Sequence, residues 1–168
     1  MPQKKHIPKR FQSPEYLAVL ANTNAEQTAV FHQAALNDMQ KIAEKGYPNE
    51  ICGLLLGSIN AQSWNIQQVR QVKNINTERA ADRFQLDPNG YQSIDHEIRG
   101  SGVEIIGVFH SHPDCPAKPS PTDLNSAWEG FLYPIISVYD GKVASLHCWE
   151  PNEASGKFHP VTISKANT

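Results

Sequence analysis

A run of mostly apolar residues, Val103 to Phe109, ends in His110-Ser111-His112-Pro113, and no other stretch constrains this chain as strongly. Such a run reads as a buried β-strand, and side chains two apart on a strand point to the same face. His110 and His112 can therefore reach one ion. The turn-rich segment Pro113-Asp114-Cys115-Pro116-Ala117-Lys118-Pro119 then leads back to Asp123, an oxygen donor. Two imidazoles and a carboxylate suit a catalytic zinc site of three protein ligands and one open water position. A second reading uses some of the same residues. Ser120-Pro121-Thr122-Asp123 also spells a helix N-terminus, with Ser as N-cap, Pro at the first helical position and an acid at the third. That reading accounts for Ser120 and Asp123 but leaves the histidine pair unexplained.

A zinc hydrolase also needs a base outside the ligand set. Glu50 is the candidate, in Gly46-Tyr47-Pro48-Asn49-Glu50-Ile51-Cys52-Gly53-Leu54-Leu55-Leu56-Gly57. It stands where a helix has ended and a buried strand begins, so partial desolvation would raise its pKa toward a useful range. Taken locally, a solvated loop glutamate is the simpler reading.

The two segments together decide between these readings. A Glu before an apolar Cys-Gly-Leu strand is followed about sixty residues later by His-Ser-His-Pro, then a Pro-Ser and an Asp three residues beyond the Ser. This pattern resembles the JAMM (MPN-plus) zinc metalloprotease family, and the likeness runs from about Gln27 to Trp149. Arg83-Phe84-Gln85-Leu86-Asp87-Pro88 is similar to the middle segment of its small prokaryotic branch, whose members process ubiquitin-fold sulfur carrier proteins. The resemblance implies zinc held by His110, His112 and Asp123, Glu50 as general base and Ser120 steadying the oxyanion. It also implies a single-domain α/β fold, a curved mixed β-sheet flanked by helices with cytidine-deaminase-like layering.

Composition agrees with an ordinary globular domain. With 39% apolar and 19% charged residues, a chain of 168 residues is large enough for one real core. A net charge of −2 gives no general reason to bind nucleic acid or an anionic membrane. Three scattered cysteines, Cys52, Cys115 and Cys148, and no sustained apolar leader or membrane span lead us to expect a reduced, cytoplasmic protein. Cys52 reads as core and Cys115 as loop packing.

Residues 1–24 are rich in Pro, Asn, Gln and Lys and are expected to form a loose arm, with a short ordered piece at Tyr16 to Leu20, ahead of a domain over 25–168. Helical spacing of Val30, Ala34, Ala35, Met39, Ile42 and Ala43 predicts a helix over 25–45. Strands are expected at 52–59, 63–73, 84–86 and 104–110, and helices at 88–99 and 121–129. Asp140-Gly141 should turn a hairpin between 133–139 and 142–149, with 158–163 closing an edge and 151–157 a loop of low order.

The resemblance implies cleavage at the tail of ubiquitin-like proteins. The segment Leu124 to Tyr133 is too short for the insertion that eukaryotic members use to grip that tail. The expected partner is therefore a ubiquitin-fold sulfur carrier ending in Gly-Gly, its extended tail added along a sheet edge. The rivals are a deubiquitinase-like protease of a bacterial conjugation or antiphage system, a DNA-associated RadC-like protein, and a zinc scaffold without catalysis. A structural zinc site would have no use for Glu50. A zinc nucleoside deaminase is excluded, because its His-x-Glu and Pro-Cys-x-x-Cys pair is absent.

Overall fold

The computed structural model of the chain describes residues 11, 27–61, 63–152 and 156–166. In chain order its elements are β1 (Thr28–Phe31), α1 (Gln33–Gly46), β2 (Cys52–Asn60), β3 (Ser63–Val72), α2 (Pro88–Ile98), β4 (Glu104–Pro113), α3 (Pro121–Ser126), β5 (Tyr133–Tyr139), β6 (Lys142–Asn152) and β7 (Lys157–Lys165). The strands run β1-β3-β2-β4-β5-β6-β7 and close into a barrel. Parallel pairs β1–β3, β1–β7 and β4–β5 mix with four antiparallel ones. The sheet is mixed, as expected, but it closes into a barrel where a curved sheet flanked by helices was expected.

Closure comes from a segment whose expected structure is corrected here. Thr28–Phe31 is a strand and not the start of a helix, with Ala29 and Phe31 buried and Thr28 and Val30 only partly so. This period-2 burial and two β neighbours override the helical spacing that Val30 shared with α1 by coincidence. The helix begins only at Gln33, after the extended His32, and buries Ala35, Met39 and Ala43 at four-residue intervals. Three further expectations change. The 84–86 stretch makes one bridge, Asn74 to Leu86, rather than a strand, and α3 stops at Ser126. Pro151 and Asn152 end β6 and Lys157 opens β7, so the expected loop shrinks. The expected piece at Tyr16 to Leu20 lies outside the described residues.

Alternation along β2 serves two cores. Leu55 packs with the α1 cluster around Phe31, Ile66, Phe109 and Ile136. Leu54 and Leu56 pack with Ile94 and Ile98 of α2, Ile135 and Phe158. Burying a side chain of this size stabilises by about 1.5–3 kcal/mol. A Cβ on Gly53 would stand 2.5 Å from the Phe109 ring and 2.3 Å from the Arg70 carbonyl oxygen, so only glycine lets β2, β3 and β4 approach here. Among the described residues no helix is long and apolar enough to cross a membrane.

Candidate metal centre and active site

The centre is built where β2 and β4 pair. Cys52 lies opposite His110, and the Ser111 amide donates to the Ile51 carbonyl at 3.0 Å. The Ile51 amide in turn donates to the Ser111 hydroxyl at 2.9 Å. Ser111 thus fastens the start of β2 to the end of β4, which brings Glu50 beside two histidines sixty residues away in sequence. Glu50 is 4% exposed, so it is not the solvated loop residue of the simpler local reading. One of its carboxylate oxygens lies 3.8 Å from His112 Nε2.

His110 and His112, both buried, direct Nε2 atoms to within 3.0 Å of each other. Asp123 Oδ2 stands 3.3 Å from each of them. A tetrahedral ion with bonds of roughly 2.0–2.1 Å needs donors roughly 3.3–3.4 Å apart, so the spacing fits zinc. Among the described residues this is the only group of three or more such side chains able to hold a metal ion. His112 Nδ1 lies 2.8 Å from the Pro116 carbonyl, and a donated bond there leaves the Nε2 lone pair for the ion. His110 Nδ1 is the one buried side-chain polar atom without a partner among the described residues.

Asp123 is both donor and cap. Ser120 N donates to Asp123 Oδ2 at 2.7 Å, and Asp123 N donates to Ser120 Oγ at 3.1 Å, closing a capping box on α3. The two sequence readings of this segment therefore coexist, since the box aims the carboxylate at the histidines. Burial works against charge on Asp123, but the positive charge and hydrogen bonds of His110 and His112 hold its carboxyl well below the usual range. Burial likewise opposes charge on His112. Its hydrogen bond to Asp123 and the nearby carboxylates outweigh that and raise it well above its usual value.

Two phenyl rings flank the pair. Phe84 stacks on His110 at 4.5 Å, and Phe11 lies tilted 5.7 Å from His112. Arg83 donates to Thr122 Oγ1 and ties the 76–86 segment to α3. Asn74 was not foreseen from the sequence. Its amide nitrogen donates to the Glu50 and Arg83 carbonyls, and its oxygen accepts from the Asn76 and Gln85 amides, all at 3.0–3.1 Å. Nothing local marks an Asn after a strand for such a role. Cys52 is no nucleophile, because burial and then the charge of Glu50 push its thiol up to about 12. Cys115 is buried, with its carbonyl accepting from Ser137 Oγ, and it stands outside the donor cluster.

Comparison with known proteins gives the family of the chain. The family described as prokaryotic homologs of the JAB domain matches residues 32–152. The chain is 36% identical over 108 residues to a desampylase of Haloferax volcanii, covering 63% of this chain and 73% of that one. It is 24% identical over 129 residues to a CysO-cysteine peptidase of Mycobacterium tuberculosis, covering 76% and 86%. A solution structure of a Desulfitobacterium hafniense protein superposes with a TM-score of 0.72 at 24% identity over 83% of this chain and 94% of that one, a likeness of fold. The chain belongs to the prokaryotic homologs of the JAB domain and is a hydrolase of the JAMM type.

Proposed function

We propose that this protein is a zinc peptidase or isopeptidase that cuts after the C-terminal Gly-Gly of a ubiquitin-fold sulfur carrier, with His110, His112 and Asp123 holding the zinc. The observation that carries the reading is a buried carboxylate, Glu50, set beside a complete three-donor cluster without belonging to it. Zinc bound there supplies Lewis-acid polarisation of the scissile carbonyl and acidifies water. Glu50 accepts a proton from the attacking water as its oxygen bonds to the carbonyl carbon. It returns that proton to the nitrogen as the C–N bond breaks. Ser120 keeps its O–H for the developing oxyanion, because the capping box uses only a lone pair of its oxygen.

The partner is argued from the relatives and from the chemistry. A desampylase and a CysO-cysteine peptidase are the kind of enzyme that acts on small protein tails, and glycines let a backbone approach the metal without side-chain clash. Three buried cysteines, none in a disulfide, suit a reducing compartment such as the cytoplasm. Glu50→Gln tests the reading. We expect about one zinc per chain and an unchanged fold, with kcat lower by about 10²- to 10⁴-fold. An unchanged kcat at full zinc occupancy would remove Glu50 as the base, and a zinc-loaded wild type without turnover would favour a scaffold.

A further inference from the structure

An apolar cleft of about 390 Å³ opens directly from the metal centre, with His110 and Asp123 forming part of its wall. The rest of its wall is largely aromatic and aliphatic, including Phe84, Leu86, Tyr91, Val108, Trp128 and Tyr133. Its only carboxylate is that of Asp123, which is committed to the histidine cluster. Trp128, at 56% exposure, is the most exposed large apolar residue among those described, and it meets Tyr91 edge to face at 6.2 Å. An exposed indole beside an apolar cleft is a common anchor for an inserted side chain. His110, which carries the unpartnered buried nitrogen, belongs to the same wall.

The position of Glu50 decides which half of a substrate lies here. Glu50 sits on the His112 side, and neither residue lines the cleft. A base that returns its proton to the departing nitrogen must have that nitrogen near it. The leaving amine therefore lies toward Glu50 and His112, and the acyl half toward His110, Asp123 and the cleft. Two glycines before the scissile bond carry no side chain to fill such a space. The first residue that can is the one preceding them.

Resting on the peptidase reading above, we infer that the cleft is a specificity site for the acyl side of the substrate. It takes an uncharged apolar side chain, aromatic or branched, at the residue immediately before the Gly-Gly. A charged side chain of either sign would leave water for a largely aromatic and aliphatic wall that offers it no opposite charge outside the metal site. Carriers whose tails end in apolar-Gly-Gly are the substrates, and tails ending in Arg-Gly-Gly or Glu-Gly-Gly are rejected.

The test titrates the zinc-loaded full chain with acetylated hexapeptides ending X-Gly-Gly, where X is Phe, Leu, Gly, Arg or Glu. The Trp128 indole resonance, identified with Trp128→Phe, reports binding. Phe and Leu peptides should bind roughly tenfold or more tighter than the other three and shift that resonance. In Trp128→Ala the Leu and Gly peptides should come within about twofold of each other. Equal affinities across X, no binding of any peptide, or binding that leaves Trp128 unmoved would each overturn the cleft. The same tails extended by a C-terminal alanine give the turnover readout. Binding in the expected order without any cleavage would support the cleft and sink the peptidase reading. Cleavage with equal kcat/KM and equal affinity for every X would do the reverse.

Discussion

Ser120 caps α3, and the proposed chemistry gives its hydroxyl a second task. Its oxygen accepts the Asp123 amide while its backbone amide holds Asp123 Oδ2 in place. Ser120→Ala should therefore cost about 0.5–2 kcal/mol of stability through the lost cap. It should also lower kcat by about 10²- to 10³-fold through the lost oxyanion donor. Ser120→Asp restores a cap but has no proton to donate, so its stability should recover and its kcat should not. The measurement is kcat per folded, zinc-loaded molecule, and a wild-type value in Ser120→Asp removes Ser120 from the chemistry. Protons and metal compete at the neighbouring donors. Without an ion, His112 is raised above its usual 6.5, so its contribution to stability is full below 6.5 and is lost as pH rises through the raised value. Asp123 is depressed below 3.8, so its contribution is full above 3.8 and is lost as pH falls through the depressed value. Chelated protein should thus melt highest between about pH 4 and 6.5, and zinc affinity should rise with pH as the His112 proton is displaced. Thermal melts and zinc titrations carried from well below pH 3.8 to well above pH 6.5 check both signs. Glu50, His110, His112, Ser120 and Asp123 stand out as candidates in the sequence because each carries a donor or an acid–base group in its residue type. Asn74 and Ser111 do not, since their roles are hydrogen bonds to backbone far away along the chain.

At the scale of elements, strands were readable where apolar residues run together, as in β2, β4 and β5. β1 was not, because four residues give too little alternation to compete with the helical spacing of Ala35, Met39 and Ala43. Its identity depends on β3 and β7, which a local pattern cannot see. The 73–87 connection was likewise opaque, and it is held less by pairing than by Asn74. With both amide hydrogens and the oxygen bonded, Asn74 joins the Glu50 backbone to the segment that stacks Phe84 on His110 and ties Arg83 to α3. Asn74→Ala leaves partly buried amides and carbonyls without partners and should cost about 1–3 kcal/mol. Because Glu50 is released while the zinc donors stay, kcat should fall with zinc content and KM little changed. A variant that is destabilised yet has normal kcat per folded molecule would make Asn74 purely structural.

At the scale of the whole molecule, closure of the barrel changes how a substrate can be held. An open sheet would offer a whole edge for an added strand, but here the ring closes, and β1 leaves unpaired the stretch of β3 beyond Ile66. We expect the grip to come chiefly from the cleft and the surface around it, formed by α2, α3 and the loop carrying Trp128. A tail of a few residues fills only that cleft, while a folded carrier adds contacts beyond it. Binding energy from those remote contacts can be used to hold the scissile carbonyl in register, and a detached tail lacks it. A folded Gly-Gly carrier with a C-terminal extension should therefore be cleaved with kcat/KM at least about tenfold above that of its isolated tail, and free dipeptides should be poor substrates. Changing the penultimate glycine to valine should block cleavage of the folded carrier, since a β-branched side chain hinders the close approach of the tail backbone to the metal donors. Mass spectrometry of the intact substrates reads both comparisons. Rapid turnover of arbitrary unfolded proteins, or equal cleavage of carrier and detached tail, would mark a general peptidase whose specificity ends at the cleft.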